Sequence, residues 1–305
     1  MARYDEPALF RFSEAALETN LDRFYAMPKR LVHDGTTARL WTDGSSRSHP
    51  TASSILPVLA LASWPENPAD EWSKWGFLGH RRIAGLAGVN KASVRAALAH
   101  LEAIKLAKTR KVAPDPREGG PLRLEFCLHR SLFRAGNEPF FKLPASFIHG
   151  GVWSVLPFHG ARHLLLVLGC LDAVHDEAAL HSTIVAGCYD SDEEADERLE
   201  RINAGAGVSY AGLCRYSGMS ASGVIDALAA LQVKFCGTPR EGLITRGDAR
   251  GGHFYRTSQR ALAAYFPVAD LNDRERRANI AAWWAHLLPK KKGKRRIVRP
   301  DRAAA

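Results

Sequence analysis

The sequence predicts a mainly α-helical fold with small β-hairpins, α+β in class, arranged as two domains related by internal duplication. Three observations carry this. The stretch from Gly79 to Val112 has the pattern of a helix, a tight turn, a second helix and a basic strand. The same apolar pattern returns between Tyr210 and Arg240. Each copy is preceded by a strongly apolar helical stretch, Thr51 to Ser63 and Ala161 to Val174. A chain of 305 residues suits two domains, and a hydrophobic content of 46% is ample for their cores.

In the first stretch, Ile83, Ala84 and Ala87 give the leading helix an inward face. Gly88 sits where the chain must turn sharply, and glycine accepts a positive φ there without steric cost. Asn90 is a good N-cap for the second helix, because its side chain accepts from a free backbone N–H. Val94, Leu98 and Leu101 then recur at helical spacing as one apolar stripe. Lys91, Ser93, Arg95 and His100 are expected on the opposite face. Between Arg81 and Lys111 there are eight Lys/Arg and one carboxylate, Glu102. A helix with a basic N-terminal end and an apolar back suits a DNA major groove.

The recurrence is in register. Gly218 falls 130 residues after Gly88, and at that offset Leu213 matches Ile83 and Met219 matches Val89. Val224, Leu228 and Leu231 match Val94, Leu98 and Leu101; Ala227 matches Ala97 and Arg240 matches Arg110.

The segment GVNKASVRAALAHLEA resembles the second helix of the winged helix-turn-helix of GntR-type bacterial regulators. That likeness covers about a tenth of the chain and implies a winged-helix fold for each copy. Two such units followed by a basic tail resemble the replication initiators of plasmids and related mobile elements. The resemblance implies sequence-specific binding of double-stranded DNA at repeated origin sites and help in opening the origin. In that family the second winged helix is commonly the main reader, whereas here the first carries the charge. Two other readings stay open. One is a transcriptional regulator with one DNA-reading and one oligomerising domain, for which a homodimer would be natural. The other is an adaptor that contacts protein.

Along the chain, residues 1–50 are expected to form an N-terminal helix and loop. Phe10, Phe12, Leu17, Leu21, Phe24 and Tyr25 can share one helical face, and Gly35 to Pro50 has loop composition. Residues 51–131 form the first winged-helix domain. Its leading helix, Thr51 to Ser63, should pack behind the helix-turn-helix, with Trp72 and Trp75 as staples of the core. Ala107 to Val112 and Leu122 to His129 would be the two strands of a wing, with Arg117 at its tip. Residues 132–160 are expected to bridge the domains, and residues 161–268 to form the second. The second wing would use Val233 to Cys236, Leu243 to Arg246 and His253 to Arg256. Residues 269–305 hold a last helix, Arg274 to Leu288, and a basic tail.

The net charge of +10 favours a polyanionic partner. Lys290 to Arg302 holds eight Lys/Arg and one Asp, so the tail supplies most of it. The candidate DNA-binding residues are therefore Arg81, Asn90, Lys91, Ser93, Arg95, Lys108, Arg110, Lys111 and Arg117 in the first copy. In the second they are Ser220, Ser222, Arg240, Arg246 and Arg250, with Ser217 nearby as a further hydroxyl donor. The second helix carries Asp226 and no positive charge between Ser220 and Asp226, so its domain is expected to work mainly through wing arginines.

No catalytic constellation emerges. The sequence lacks a phosphate-cradling GxxxxGK[ST] loop, a nucleophile elbow, zinc-ligand spacing, and a His-x-His pair with a neighbouring tyrosine. The expectation is binding rather than catalysis, with no cofactor and no metal. The five cysteines have no CxxC spacing; Cys214 falls on an inward helix face and suits a buried thiol. Cys127 and His129 alternate on a strand, and Asp190 to Glu200 holds seven carboxylates; both are expected to be structural or solvated features. The longest apolar run, Leu164 to Val174, is too short to span a bilayer, and MARYDEPALFRFSEA is no signal peptide. These features predict a cytoplasmic, DNA-associated protein, with the replication or transcription machinery as further partners.

Overall fold

The structure is a computed structural model and describes residues 10–11, 24–42, 48–65, 70–113, 123–156, 159–172, 206–232, 243–249, 252–257 and 266–267. The N-terminal elements are β1 (Phe10–Arg11), β2 (Phe24–Pro28), α1 (Arg30–His33) and α2 (Thr36–Trp41). A first set follows: α3 (Pro50–Ala62), β3 (Gly76–Phe77), α4 (His80–Ala87), α5 (Lys91–Ala103), β4 (Ala107–Val112) and β5 (Arg123–Leu128). Next come β6 (Phe140–Pro144), α6 (Ala145–His149) and α7 (Val152–Val155). A second set comprises α8 (His159–Asp172), β7 (Ala206–Gly207), α9 (Tyr210–Ser217), α10 (Ala221–Leu231), β8 (Ile244–Ala249) and β9 (Gly252–Thr257), before β10 (Phe266–Pro267). The molecule is thus mixed helix and strand, α+β, with small antiparallel sheets.

The two sets have the same order, helix–strand–helix–helix–strand–strand. Their antiparallel sheets are ordered alike, β3-β5-β4 and β7-β9-β8, so the short first strand lies outside the last one in each. The starts of β3, α4 and α5, at Gly76, His80 and Lys91, recur 130 residues later at Ala206, Tyr210 and Ala221.

One buried cluster runs through both sets. Its centre is the packing of α3 against α8. Nine consecutive residues of α3, Ala52 to Ala60, are buried, as expected of a helix that is apolar on every side. Pro57 interrupts the hydrogen-bond ladder inside α3 by lacking an N–H. The Trp153 indole donates to the Ser54 carbonyl at 2.8 Å, one residue from the carbonyl that Pro57 leaves without its helical donor.

Several expectations are corrected here. Phe24 and Tyr25 are not helical: FYAMP pairs antiparallel with FFKLP of β6, from Phe24 against Pro144 to Pro28 against Phe140. Both strands are mostly buried, and an apolar run with a partner strand satisfies its backbone there as readily as in a helix. Phe10 lies in β1, paired with β10; Phe12, Leu17 and Leu21 lie outside the described residues. Within the expected loop Gly35 to Pro50, Thr36–Trp41 is helical, with Thr36, Thr37 and Leu40 buried. Asp34 Oδ1 accepts from the Thr36 N–H at 2.8 Å, and Thr37 Oγ1 donates to the Tyr216 carbonyl at 2.8 Å. The expected bridge is core: Phe141, Leu143, Phe147, Ile148, Val152, Trp153 and Leu156 are all buried in the common cluster.

The second hairpin forms where the expected strands Leu243 to Arg246 and His253 to Arg256 lie, and both strands are longer than expected. Its strands are Ile244–Ala249 and Gly252–Thr257, registered from Ile244 against Thr257 to Ala249 against Gly252. They therefore meet at a short connection. Val233 to Cys236, the acidic segment Asp190 to Glu200, the helix Arg274 to Leu288 and the basic tail lie outside the described residues.

Candidate nucleic-acid interface

The turn between α4 and α5 places the candidate residues. Gly88 has φ +63° and its equivalent Gly218 has φ +70°, a region costly to any residue with a Cβ. Beyond Gly88 the Val89 N–H bonds the Ala84 carbonyl at 3.0 Å, closing α4 in a Schellman-type cap. Asn90 Oδ1 then accepts from the Ser93 N–H at 2.7 Å and starts α5. The second copy repeats this: Ser220 Oγ accepts from the Gly223 N–H at 3.3 Å.

Val94, Ala97, Leu98 and Leu101 face the core, while Asn90, Lys91 and Arg95 are exposed and Ser93 is half-buried. His100 is corrected: it is buried, not on the outer face. Its Nε2 lies 2.9 Å from the Arg39 carbonyl, and its ring stacks on His49 at 3.9 Å. Arg39 lies in a segment of loop composition, so nothing local to α5 marks His100 as an inward residue.

At the start of α4, half-buried His80 lies in the electrostatic field of the cations of α5. Its pKa is lowered by burial first, and then by the positive charges of Arg95 and Lys91. His80 thus shares one positive field with exposed Lys91 and Arg95, and exposed Arg81 and Arg82 follow it on α4. Sequence reasoning missed His80. Its only signal is its place at the head of the leading helix.

The basic strand is organised by aromatics. Lys108 Nζ lies 3.9 Å from the Trp72 ring centre, and the Arg110 guanidinium 4.1 Å from that of Trp75. Arg110 also forms an ion pair with Glu125, Nη2 to Oε2 at 2.7 Å. Trp72 and Trp75 are therefore half-buried platforms for cations on the outer sheet face, not staples of the main core. Lys111 is exposed on the other face of β4, beside Thr109. Glu102 is occupied there, accepting from Thr109 N–H at 2.8 Å and Thr109 Oγ1 at 2.7 Å. The single carboxylate of the basic stretch thus ties β4 to α5. Arg117 lies outside the described residues.

In the second copy, Ser220 and Ser222 are exposed, with their hydroxyls 3.3 Å apart. Ser217 is corrected: it is fully buried, its hydroxyl donating to the Leu213 carbonyl at 2.6 Å, and cannot reach a phosphate. Asp226 is half-buried on α10. Arg246 stands in β8 opposite Tyr255; Arg240 and Arg250 lie outside the described residues.

Cys127 is buried, which raises its thiol pKa, and His129 packs edge-on against Trp72. Cys214 is half-buried at the edge of the core rather than fully enclosed. Among the described residues no group of three His, Cys, Asp or Glu could hold a metal ion. No helix among them is long and apolar enough to cross a membrane. Compared with known proteins, the chain matches no family model, no curated sequence and no solved structure.

Proposed function

We propose that the chain binds double-stranded DNA sequence-specifically through two winged helices that arose by internal duplication, and that it serves as a replication initiator of a plasmid or related mobile element. The observation that carries this reading is the double occurrence of one element order and one sheet order, held together by α3 against α8. Each set has the parts of a winged helix: a supporting helix, a capped helix-turn-helix and a hairpin after it. A protein with two such units fused through a common core offers two readers at a constant spacing, which suits repeated sites on one duplex.

In the first unit, Arg95 and Lys91 read or anchor DNA from the first turns of α5. Lys108, Arg110 and Lys111 meet phosphates along the wing strand, where contacts position without specifying. The basic tail adds affinity without sequence preference. The protein works in the cytoplasm on DNA, together with the replication machinery.

A second reading, a transcriptional regulator, is favoured by one observation: α10 presents no cation where α5 presents Lys91 and Arg95. Footprinting on the DNA flanking the gene separates the two. Protected direct repeats beside an A+T-rich stretch support the initiator. One protected palindrome over a promoter supports the regulator. Absence of any protected site rejects both and leaves a protein-contacting adaptor.

A further inference from the structure

The two cations at the head of α5, Lys91 and Arg95, and His80 beside them in the first unit have uncharged counterparts in the second. At the 130-residue offset, His80, Lys91 and Arg95 correspond to Tyr210, Ala221 and Ile225. Four large hydrophobic residues stand exposed among the described residues: Trp64, Phe77, Tyr210 and Ile225. The two that belong to the second unit, Tyr210 at 38% and Ile225 at 53% exposure, occupy the positions equivalent to His80 and Arg95. The neighbours on the outer side of α10 are small: Ala221, Ser222 and Ala229 are exposed, and Ser220 precedes them as the cap.

We propose that Ile225 reads thymine, by packing on the C5-methyl group in the major groove, so that the second unit selects A·T pairs where the first selects G·C. This rests on the winged-helix reading given above. A thymine methyl is the one apolar feature on the major-groove edge of a base pair, and an arginine prefers guanine O6 and N7 there. The same place on two equivalent helices thus carries the two side chains that suit the two kinds of base pair. Ala221, Ser222 and Ala229 add little bulk, so the helix can approach the bases closely enough for an isoleucine to reach. A second copy of the chain fits this face less well. A stable interface needs about 800 Å² from each partner, whereas two partly exposed side chains among serines and alanines supply a small fraction of that.

The test uses the full-length chain and a randomised duplex pool. Selection with the native protein should yield sites with at least one thymine absent from sites selected by Ile225→Ala. In the selected duplex, replacing that thymine by deoxyuridine removes one methyl and should weaken native binding about fourfold. The Ile225→Ala protein should bind both duplexes equally. Ile225→Arg should move the preference at the same position toward guanine. Ile225 is exposed, and an unchanged melting temperature of each variant shows that folding is not at issue.

Uracil tolerated at every thymine, with Arg95→Ala still relaxing specificity at one base pair, overturns the thymine reading while leaving the proposed function standing. Selection that returns no consensus from the native chain overturns both. A native chain that sediments as a dimer and an Ile225→Asp variant that sediments as a monomer would make the face an interface between copies, and would also overturn the proposal.

Discussion

Arg162 and His163 are neighbours on α8, and each bonds the last helical carbonyl before one of the two tight turns. Arg162 Nη1 donates to the Ala87 carbonyl at 2.7 Å, and His163 Nε2 to the Ser217 carbonyl at 2.8 Å. Ala87 and Ser217 are equivalent residues, 130 positions apart, each followed by a left-handed glycine. On the α3 side, Arg162 meets Ser54 Oγ at 3.3 Å and His163 Nδ1 meets Ser53 Oγ at 2.7 Å. Two adjacent residues of one helix therefore hold both helix-turn-helix elements against the central helix pair. Relative motion of the two units would break these buried bonds.

Arg162 also donates to the carbonyls of Trp153 at 2.8 Å, Ser154 at 2.7 Å and Leu156 at 3.2 Å, in a site where burial lowers its pKa to about 9. It stays charged at neutral pH. Arg162→Met would leave several buried carbonyls without this donor, and each orphaned group costs about 1–3 kcal/mol. Denaturant unfolding should show a loss of at least about 3 kcal/mol. A loss under about 1 kcal/mol would mean the carbonyls find other donors.

The two turn glycines should differ in tolerance. A Cβ on Gly88 would overlap the Ser154 carbonyl oxygen and crowd Arg162 Nη2 at 2.8 Å, whereas on Gly218 its nearest neighbour is the Ala38 carbonyl oxygen at 3.1 Å. Both pay the left-handed penalty of about 1–2 kcal/mol. Gly218→Ala should lose little beyond that, and Gly88→Ala clearly more, with displaced α7. Equal melting temperatures for the two variants would contradict this ordering.

His163 sets a pH dependence. The Ser217 carbonyl can only accept, so Nε2 carries the proton and Nδ1 accepts from Ser53. Burial first, opposed by that backbone bond, lowers its pKa from 6.5 to about 4. The unfolded chain takes up a proton below pH 6.5 that the folded chain refuses until about pH 4. Stability contributed by neutral His163 is therefore present above pH 6.5 and lost as pH falls through this window, by about 1.4 kcal/mol per pH unit. Unfolding free energies at pH 7, 6 and 5 should fall more steeply for the native chain than for His163→Gln. Parallel slopes would show that another group carries the dependence.

Lys105 is the one described non-glycine residue with positive φ, +60°, at the end of α5. The Leu106 N–H bonds the Leu101 carbonyl at 2.8 Å across it, a Schellman arrangement that favours glycine. Lys105→Gly should raise stability by about 1 kcal/mol, read as a higher denaturation midpoint. A lower midpoint would mean that the lysine side chain stabilises the turn in some other way.

Arg95 tests the reading of the first unit. Arg95→Ala removes an exposed side chain and should leave the melting temperature unchanged. A bidentate arginine–guanine pair is worth about 1–3 kcal/mol of discrimination, so the variant should bind its site more weakly and accept other bases at one position. Full affinity for the selected duplex would remove Arg95 from the interface.

The features legible in the residues alone are local. Gly88 and Gly218 mark turns because no other residue enters that backbone region cheaply, and Asn90 starts a helix because its side chain meets an unpaired N–H. The stripes Val94–Leu98–Leu101 and Val224–Leu228–Leu231 follow from helical period alone, and the 130-residue register follows from comparing them. Which distant partner a residue finds depended on how the elements pack. FYAMP became a strand because FFKLP lay across from it, and His100 turned inward because α2 offered the Arg39 carbonyl. Trp72 and Trp75 came to support Lys108 and Arg110 through strand pairing. Arg162 and His163 carry no sequence signal beyond two polar residues at the head of an apolar helix. Their role exists only because α3, α4 and α9 converge on α8, where buried carbonyls must find donors within the protein.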